Sequence, residues 1–344
     1  MVTMPGTGDE PSSAPFRRLS GEDIAKLDVY VQPEHDPDSA DRRLKRLDFS
    51  QKLNAFLKAE GAVAYVTQSY RDGKLLHGEG YLFGRGETPA VPGIELAAED
   101  YRRLARLAKT GPAPTIEVLS DVRYDDSDVN AYNIIAEIPG TDKAEEVVML
   151  GGHLDSWHAG TGATDNATGS SAMIEAVRVV QKLGLKPRRT IRLCLWAAEE
   201  QGLLGSQAYV KQHFGMVENP KPEHALFAGY FNIDSGTGRA RGASVFGPSE
   251  AAAILREATK AFADNGFFGV NATQSRRRGG TDSTSFNEAG LPGIGIQQDP
   301  IEYNSHTWHT NLDTYERIIE RDAQEDRKST RLNSSHMSES RMPS

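Results

Sequence analysis

Apolar residues recur with two different periods along this chain, and the change between them near residue 130 divides it. Before that point the pattern is mostly helical. Residues 21–31 and 40–60 space their apolar side chains three and four apart, and in the second stretch Leu47, Phe49, Leu53, Phe56 and Leu57 fall close to one face, with Gly61 as the stop. Residues 62–68 alternate as a strand, 92–96 predict another short strand, and 98–107 a helix with Tyr101, Leu104 and Leu107 apolar. From Asn130 the texture changes to short apolar runs separated by amphipathic stretches. Strands are predicted on either side of the turn at Pro139 and Gly140, the second over 147–150, and then over 190–197, 228–233, 244–247 and 294–296. Helices are predicted over 168–184, 203–214, 249–265 and 283–289, with a closing helix from 314. Strands alternating with helices call for crossover connections, so the expected fold is α/β: a three-layer α/β/α sandwich around a mixed, mostly parallel sheet.

The ends lack both periods. Residues 1–15 are rich in Gly, Pro, Ser and Thr and are expected to be disordered. Residues 326–344 have almost no apolar side chain and cannot cover a sheet face; they resemble a read-through tail and are set aside as foreign, so His336 is not a ligand candidate. That leaves a small α/β domain over 16–118, without a cluster of chemical residues, and a larger domain over 119–325 whose last helix is cut short. With 344 residues, 38% apolar and 25% charged, the chain can bury a real core. A net charge of -9 disfavours a phosphate backbone and excludes a nucleic-acid partner. No apolar run approaches the roughly 20 residues that span a bilayer, and no signal-peptide core is present, so no membrane partner is expected. The lone Cys194 sits inside the apolar run 191–196, which rules out an internal disulfide and reads as a packed strand thiol.

Candidate chemistry collects where predicted strands end. Residues 151–169, GGHLDSWHAGTGATDNATG, carry His153, Asp155, His158 and Asp165. Alone, this is either a metal-ligand loop or a glycine-rich loop of solvated polar groups. Glu199 and Glu200 follow the strand 190–197; neighbours at a strand end point in different directions, so one carboxylate can bind a metal while the other faces a water. The same pair also suits a solvated helix start. Asp234, alone, reads as a turn residue before Gly236, and His309 as a capping or packing residue. Together His153, Asp165, Glu200, Asp234 and His309 all lie on strand-to-loop exits, and imidazole plus carboxylate without thiolate is a zinc-type donor set. Five such side chains make two three-ligand sites if one carboxylate bridges.

The segments GGHLDSW, GATDNATGS, WAAEEQGLLGS, NIDSGTG, GGTDS and HTNLDT resemble, in order, the motifs of the co-catalytic di-zinc exopeptidases, a family of aminopeptidase and glutamate carboxypeptidase type, and most closely its carboxypeptidase Q branch. The resemblance covers about 130–319. It implies the phosphorylase/hydrolase-like sandwich, preceded by a partial protease-associated-type domain before about 115, since relatives are longer at the N-terminus. It implies two zinc ions per chain, one held by His153 and Asp234, the other by Glu200 and His309, with Asp165 bridging. Glu199 would be the general base, Asp155 would orient His153, and the Asp165 to Asn166 peptide would be cis. Many relatives carry Tyr immediately before the last His, where this chain has Trp308; Tyr303 or His306, or the zinc alone, would then stabilise the oxyanion. Asp282, in GGTDS, is expected to support the site or contact substrate, and residues 276–278 read as a carboxylate contact or as a solvated basic run. No matched motif calls on His158. The expected partner is a peptide, a homodimer is left open, and export is expected as for relatives. Two rival readings are a single-zinc glutaminyl cyclase, a transferase on the same fold, and a receptor-like homologue without catalysis.

Overall fold

The computed structural model describes residues 16–19, 22–23, 39–77, 91–123, 125–276 and 280–324. The stretches expected to be disordered (1–15) or foreign (326–344), Arg277 and Arg278, and most of the helix expected over 21–31 lie outside them. The chain separates into two units: Met1–Ser12, Glu34–Val129 and His309–Asn311 form the first, and Ser13–Pro33, Asn130–Trp308 and Leu312–Ser344 the second. The main division therefore falls between Val129 and Asn130, at the change of hydrophobic texture.

In the first unit, helix α1 (Ser39–Ala59) precedes strand β1 (Tyr65–Gln68), which pairs in parallel with β2 (Gly93–Leu96), and helix α2 (Ala98–Thr110) follows. Ala98 and Ala105 of α2 are buried, whereas Phe49 and Phe56 of α1 are exposed. Leu53 and Leu57 of the face predicted for α1 are half-buried, so that face is partly covered.

The second unit is built on seven strands: β3 (Ile134–Ile138), β4 (Lys143–His153), β5 (Arg189–Trp196), β8 (Phe227–Asn232), β9 (Ala240–Phe246), β10 (Gly269–Thr273) and β11 (Gly293–Gln298), in the order β10-β9-β11-β8-β4-β5-β3; Gly215–Met216 (β6) and Asn219–Pro220 (β7) form a small separate pair. The central strands β11, β8, β4 and β5 run parallel, while β9 is antiparallel to β11 and β3 antiparallel to β5. Side chains of β4 alternate between the two cores: Val148 and Leu150 join Met173, Ala176 and Val180 of α3 (Thr168–Lys182) and Leu255 of α5 (Ser249–Thr259), whereas Val147 and Met149 join Tyr209 and Val210 of α4 (Leu204–His213) and Phe286 of α6 (Ser283–Glu288). Helices on both faces of one mostly parallel sheet are the three layers that the periodicity predicts.

Three elements differ from expectation. The strands on either side of Pro139 and Gly140 are not neighbours, because β5 lies between them. Strand β10 has no counterpart in the sequence reading; its GVNAT holds only Val270 and Ala272 as apolar residues, too few to mark an edge strand. The closing helix from 314 is instead a single 3-10 turn, Tyr315–Arg317, followed by extended backbone at Ile318 before helix resumes at residue 320. Cys194 is fully buried in the sheet, where desolvation raises its thiol pKa well above normal, so it packs as a neutral thiol. No helix among the described residues is long and apolar enough to cross a membrane.

Candidate metal centre

Three adjacent parallel strands deliver the polar cluster. Strand β4 ends on His153 with Asp155 just beyond, β5 is followed by Glu199 and Glu200, and β8 by Asp234. Since the chain leaves β4 toward β5 on one side and later returns to β8 on the other, β4 and β8 form a topological switch point, where the C-terminal ends of strands open a crevice for ligands. Asp165 comes from the π-type turn Ala163–Ala167 that leads into α3; its peptide to Asn166 is cis. That turn is pinned from below. Asn166 Nδ2 donates to the Ile233 carbonyl at 2.9 Å, and Gly169 sits so close to both groups that any Cβ there would collide with them.

His153, Asp165 and Glu200 each offer a ligand atom within 4.8 Å of the others, and His153 Nε2 lies 3.1 Å from Asp165 Oδ1 and 3.3 Å from Asp234 Oδ1. His153 and Asp165 are 1% and 3% exposed and Glu199 is 7% exposed, so little water screens the group. The other imidazole nitrogen, Nδ1, lies 2.8 Å from the Asp155 carbonyl, which can only accept, so Nδ1 carries the hydrogen. Nε2 therefore meets two carboxylates either with an extra proton or across a cation. Burial pushes the Asp165 carboxyl up to about 7 and the Glu199 carboxyl up to about 10. Burial opposes charge on His153 too, but Asp234 and Asp165 outweigh it and raise the imidazole well above its usual value. The cluster thus demands positive charge, and its donor set, imidazole with carboxylates, suits zinc.

Supporting contacts fix these side chains. The Asp155 carboxylate accepts the backbone N–H groups of Glu199 and Glu200, both at 3.1 Å, so Asp155 holds His153 through its main chain and the glutamate pair through its side chain. Sequence reasoning placed Asp155 on His153 alone. Asp313 was not singled out there, although it stands in HTNLDT; its carboxylate accepts Thr164 N–H at 2.6 Å and Asp165 N–H at 3.2 Å and so anchors the turn carrying Asp165. Asp282 is fully buried and its carboxyl rises to about 7, with desolvation as the main cause.

The profile of peptidase family M28 matches residues 133–333, more than half of the chain and all of the strands just described as carrying the cluster. The chain belongs to peptidase family M28. It is 33% identical over 291 residues to carboxypeptidase Q of Mus musculus, an alignment covering 84% of this chain and 58% of that protein, and 34% identical over 217 residues to carboxypeptidase Q of Homo sapiens, covering 62% and 43%. The solved structure of a peptidase M28 precursor from Shewanella amazonensis SB2B is 26% identical, with a TM-score of 0.63, covering 82% of this chain and 61% of that one. This chain thus spans less than two thirds of the length of those relatives. The M28 match ends inside the stretch set aside as a foreign tail. Of the other candidate residues, Tyr303 is buried, His306 Nδ1 lies 2.8 Å from Ser305 Oγ, and Trp308 and His158 are exposed, His158 beside Trp157. His309 belongs to the first unit, where its ring lies 5.7 Å from that of His77, and its backbone is left-handed with φ 58°.

Proposed function

We propose that this chain is a zinc-dependent exopeptidase that hydrolyses short peptides or dipeptides, with Glu199 as the proton acceptor. The observation that carries it is the group of buried His153 and Asp165 with half-buried Glu200 and Asp234 at the ends of β4, β5 and β8, with Glu199 beside it. By its motif, His309 would be the fifth ligand, and the five residues would hold two zinc ions per chain. Support comes from the M28 match and from the similarity to carboxypeptidase Q. Zinc bound there supplies a Lewis acid that polarises a peptide carbonyl and lets a water lose its proton near neutral pH.

The chain's own groups do the rest. Glu199 takes up the proton of the attacking water on its carboxylate and passes it to the leaving amine. Asp155 keeps Glu199 in place beside Glu200 by binding both of their N–H groups. His153, with its hydrogen committed to the Asp155 carbonyl, presents Nε2 to the metal side. Zinc content measured together with products from a panel of dipeptides and terminally blocked peptides tests the reading. Two zincs per chain and released amino acids are expected, with blocking of one terminus abolishing release. One zinc per chain with pyroglutamate formed would make it a cyclase, and zinc without turnover of any substrate would make it a receptor-like protein.

A further inference from the structure

The loop that follows β11 is held by a segment from near the start of the chain. Residues 17–19 belong to the second unit, and 281 residues separate Arg18 from Asp299. Arg17 and Ile301 exchange backbone hydrogen bonds, at 3.1 Å from the Arg17 N–H and 2.8 Å from the Ile301 N–H. The Arg18 guanidinium donates to Asp299 Oδ2 at 2.8 Å and to Asp322 Oδ2 at 2.7 Å, and the Leu19 N–H donates to Asp299 Oδ1 at 2.9 Å. Asp299 and Asp322 are at most 1% exposed, so their charges must be met inside the protein. Asp299 also accepts from Arg241, at 3.1 and 2.9 Å, and Arg18 joins it to Asp322.

The held loop touches both chain segments that carry ligand candidates. Gln298, next to Asp299, accepts the Ser235 hydroxyl at 2.9 Å and donates to the Gly238 carbonyl at 2.8 Å, which fixes the chain just past Asp234. Beyond Ile301, the turn Tyr303–Thr307 lies against Gly236, where an added Cβ would come within 2.9 Å of Tyr303 Cβ. The Thr164 hydroxyl, beside Asp165, donates to the Thr307 hydroxyl of the same turn at 3.0 Å. Ile301 joins these contacts with a left-handed backbone, φ 46°. A β-branched residue keeps that conformation only where its surroundings over-determine it, and here Arg17 binds both its N–H and its carbonyl.

We propose that residues 17–19 are a strap for the candidate centre, and that Arg18 is a positioning residue acting through Asp299 and the loop 298–307 on Asp165 and Asp234. The proposal rests on the reading that those two carboxylates bind zinc. It brings in residues that lie well before the M28 match at 133–333. Asp299 and Asp322 are not ligand candidates, so Arg18 acts at a distance from the metal.

Zinc affinity of the full chain by chelator competition, together with amide exchange of the zinc-free chain, tests the strap without relying on turnover. Arg18→Met removes both charged hydrogen bonds while Arg241 still holds Asp299, so the fold should survive. Exchange at Ile301, Tyr303 and Thr307 should speed up about 10-fold or more, and zinc should bind about 10-fold more weakly. Arg18→Lys keeps a cation between the two carboxylates and should recover most of both losses. Arg188→Met cuts an exposed pair with Asp142 just before β5, at the end of that strand away from Glu199 and Glu200, and should change neither. If Arg18→Met does not fold, Asp322→Asn, which frees the guanidinium on one side, is read in the same way. Wild-type chain that takes up no zinc overturns the underlying reading and this inference with it. Wild-type chain that binds zinc overturns the strap alone if Arg18→Met matches it in exchange or affinity, or if Arg18→Lys or Arg188→Met loses as much as Arg18→Met.

Discussion

Asp155 shows how much of a residue's work can be hidden from its sequence. Its place after His153 was legible, but the split between a carbonyl for the imidazole and a carboxylate for two N–H groups was not, because it depends on Ala198. That residue adopts a left-handed backbone, φ 55°, which no local sequence signal demands of an alanine. Asp155→Ala leaves the carbonyl contact intact and strips the acceptor from both N–H groups. Urea melts should show a loss of about 1–3 kcal/mol. Asp313 makes the same point from the other side: its motif was noticed, yet its function depends on a turn 148 residues earlier in the chain. Asp313→Ala should likewise lower stability and loosen the turn carrying Asp165, seen as faster amide exchange at Thr164 and Asp165.

At the level of elements, the sheet was legible where strands are buried and apolar, as in β4, β5 and β8, since their runs of Val, Ile, Leu and Phe have no other use. The edges were not. Strand β10 is short and interrupted by glycine and asparagine, and β3 pairs with β5 rather than with the strand next to it in sequence, a choice made by crossover geometry rather than by its turn. The closeness of β4 to β5 gives a direct check. A Cβ on Gly151 would collide with the Cys194 carbonyl, so Gly151→Ala must push apart the strands that carry His153 and Glu199. The expected cost is about 1–3 kcal/mol, read as a lower melting temperature together with weaker zinc binding, since both strands end at the ligands.

For the molecule as a whole, the buried titratable groups tie stability to pH. In the zinc-free fold Asp165 and Asp282 keep protons up to about pH 7 and Glu199 to about 10, whereas their unfolded counterparts lose them near 3.8 and 4.5. His153 also holds its proton above its usual 6.5. The folded chain therefore binds more protons than the unfolded one, and its stability should fall as pH rises from about 5 to about 8. Asp234, whose carboxyl is lowered, adds the opposite dependence only below about 4. Zinc should reverse the trend, because its ligands must be deprotonated and each gain in that direction strengthens binding to the fold. Melting temperatures across that range, with chelator and with zinc, give the two opposite slopes. The most direct test of the central claim is one sample of Glu199→Gln, analysed at once for zinc and for hydrolysis of a dipeptide that the wild-type chain cleaves. The account predicts wild-type zinc content with a rate lower by about 10²- to 10⁴-fold; wild-type hydrolysis from a fully loaded variant would contradict it.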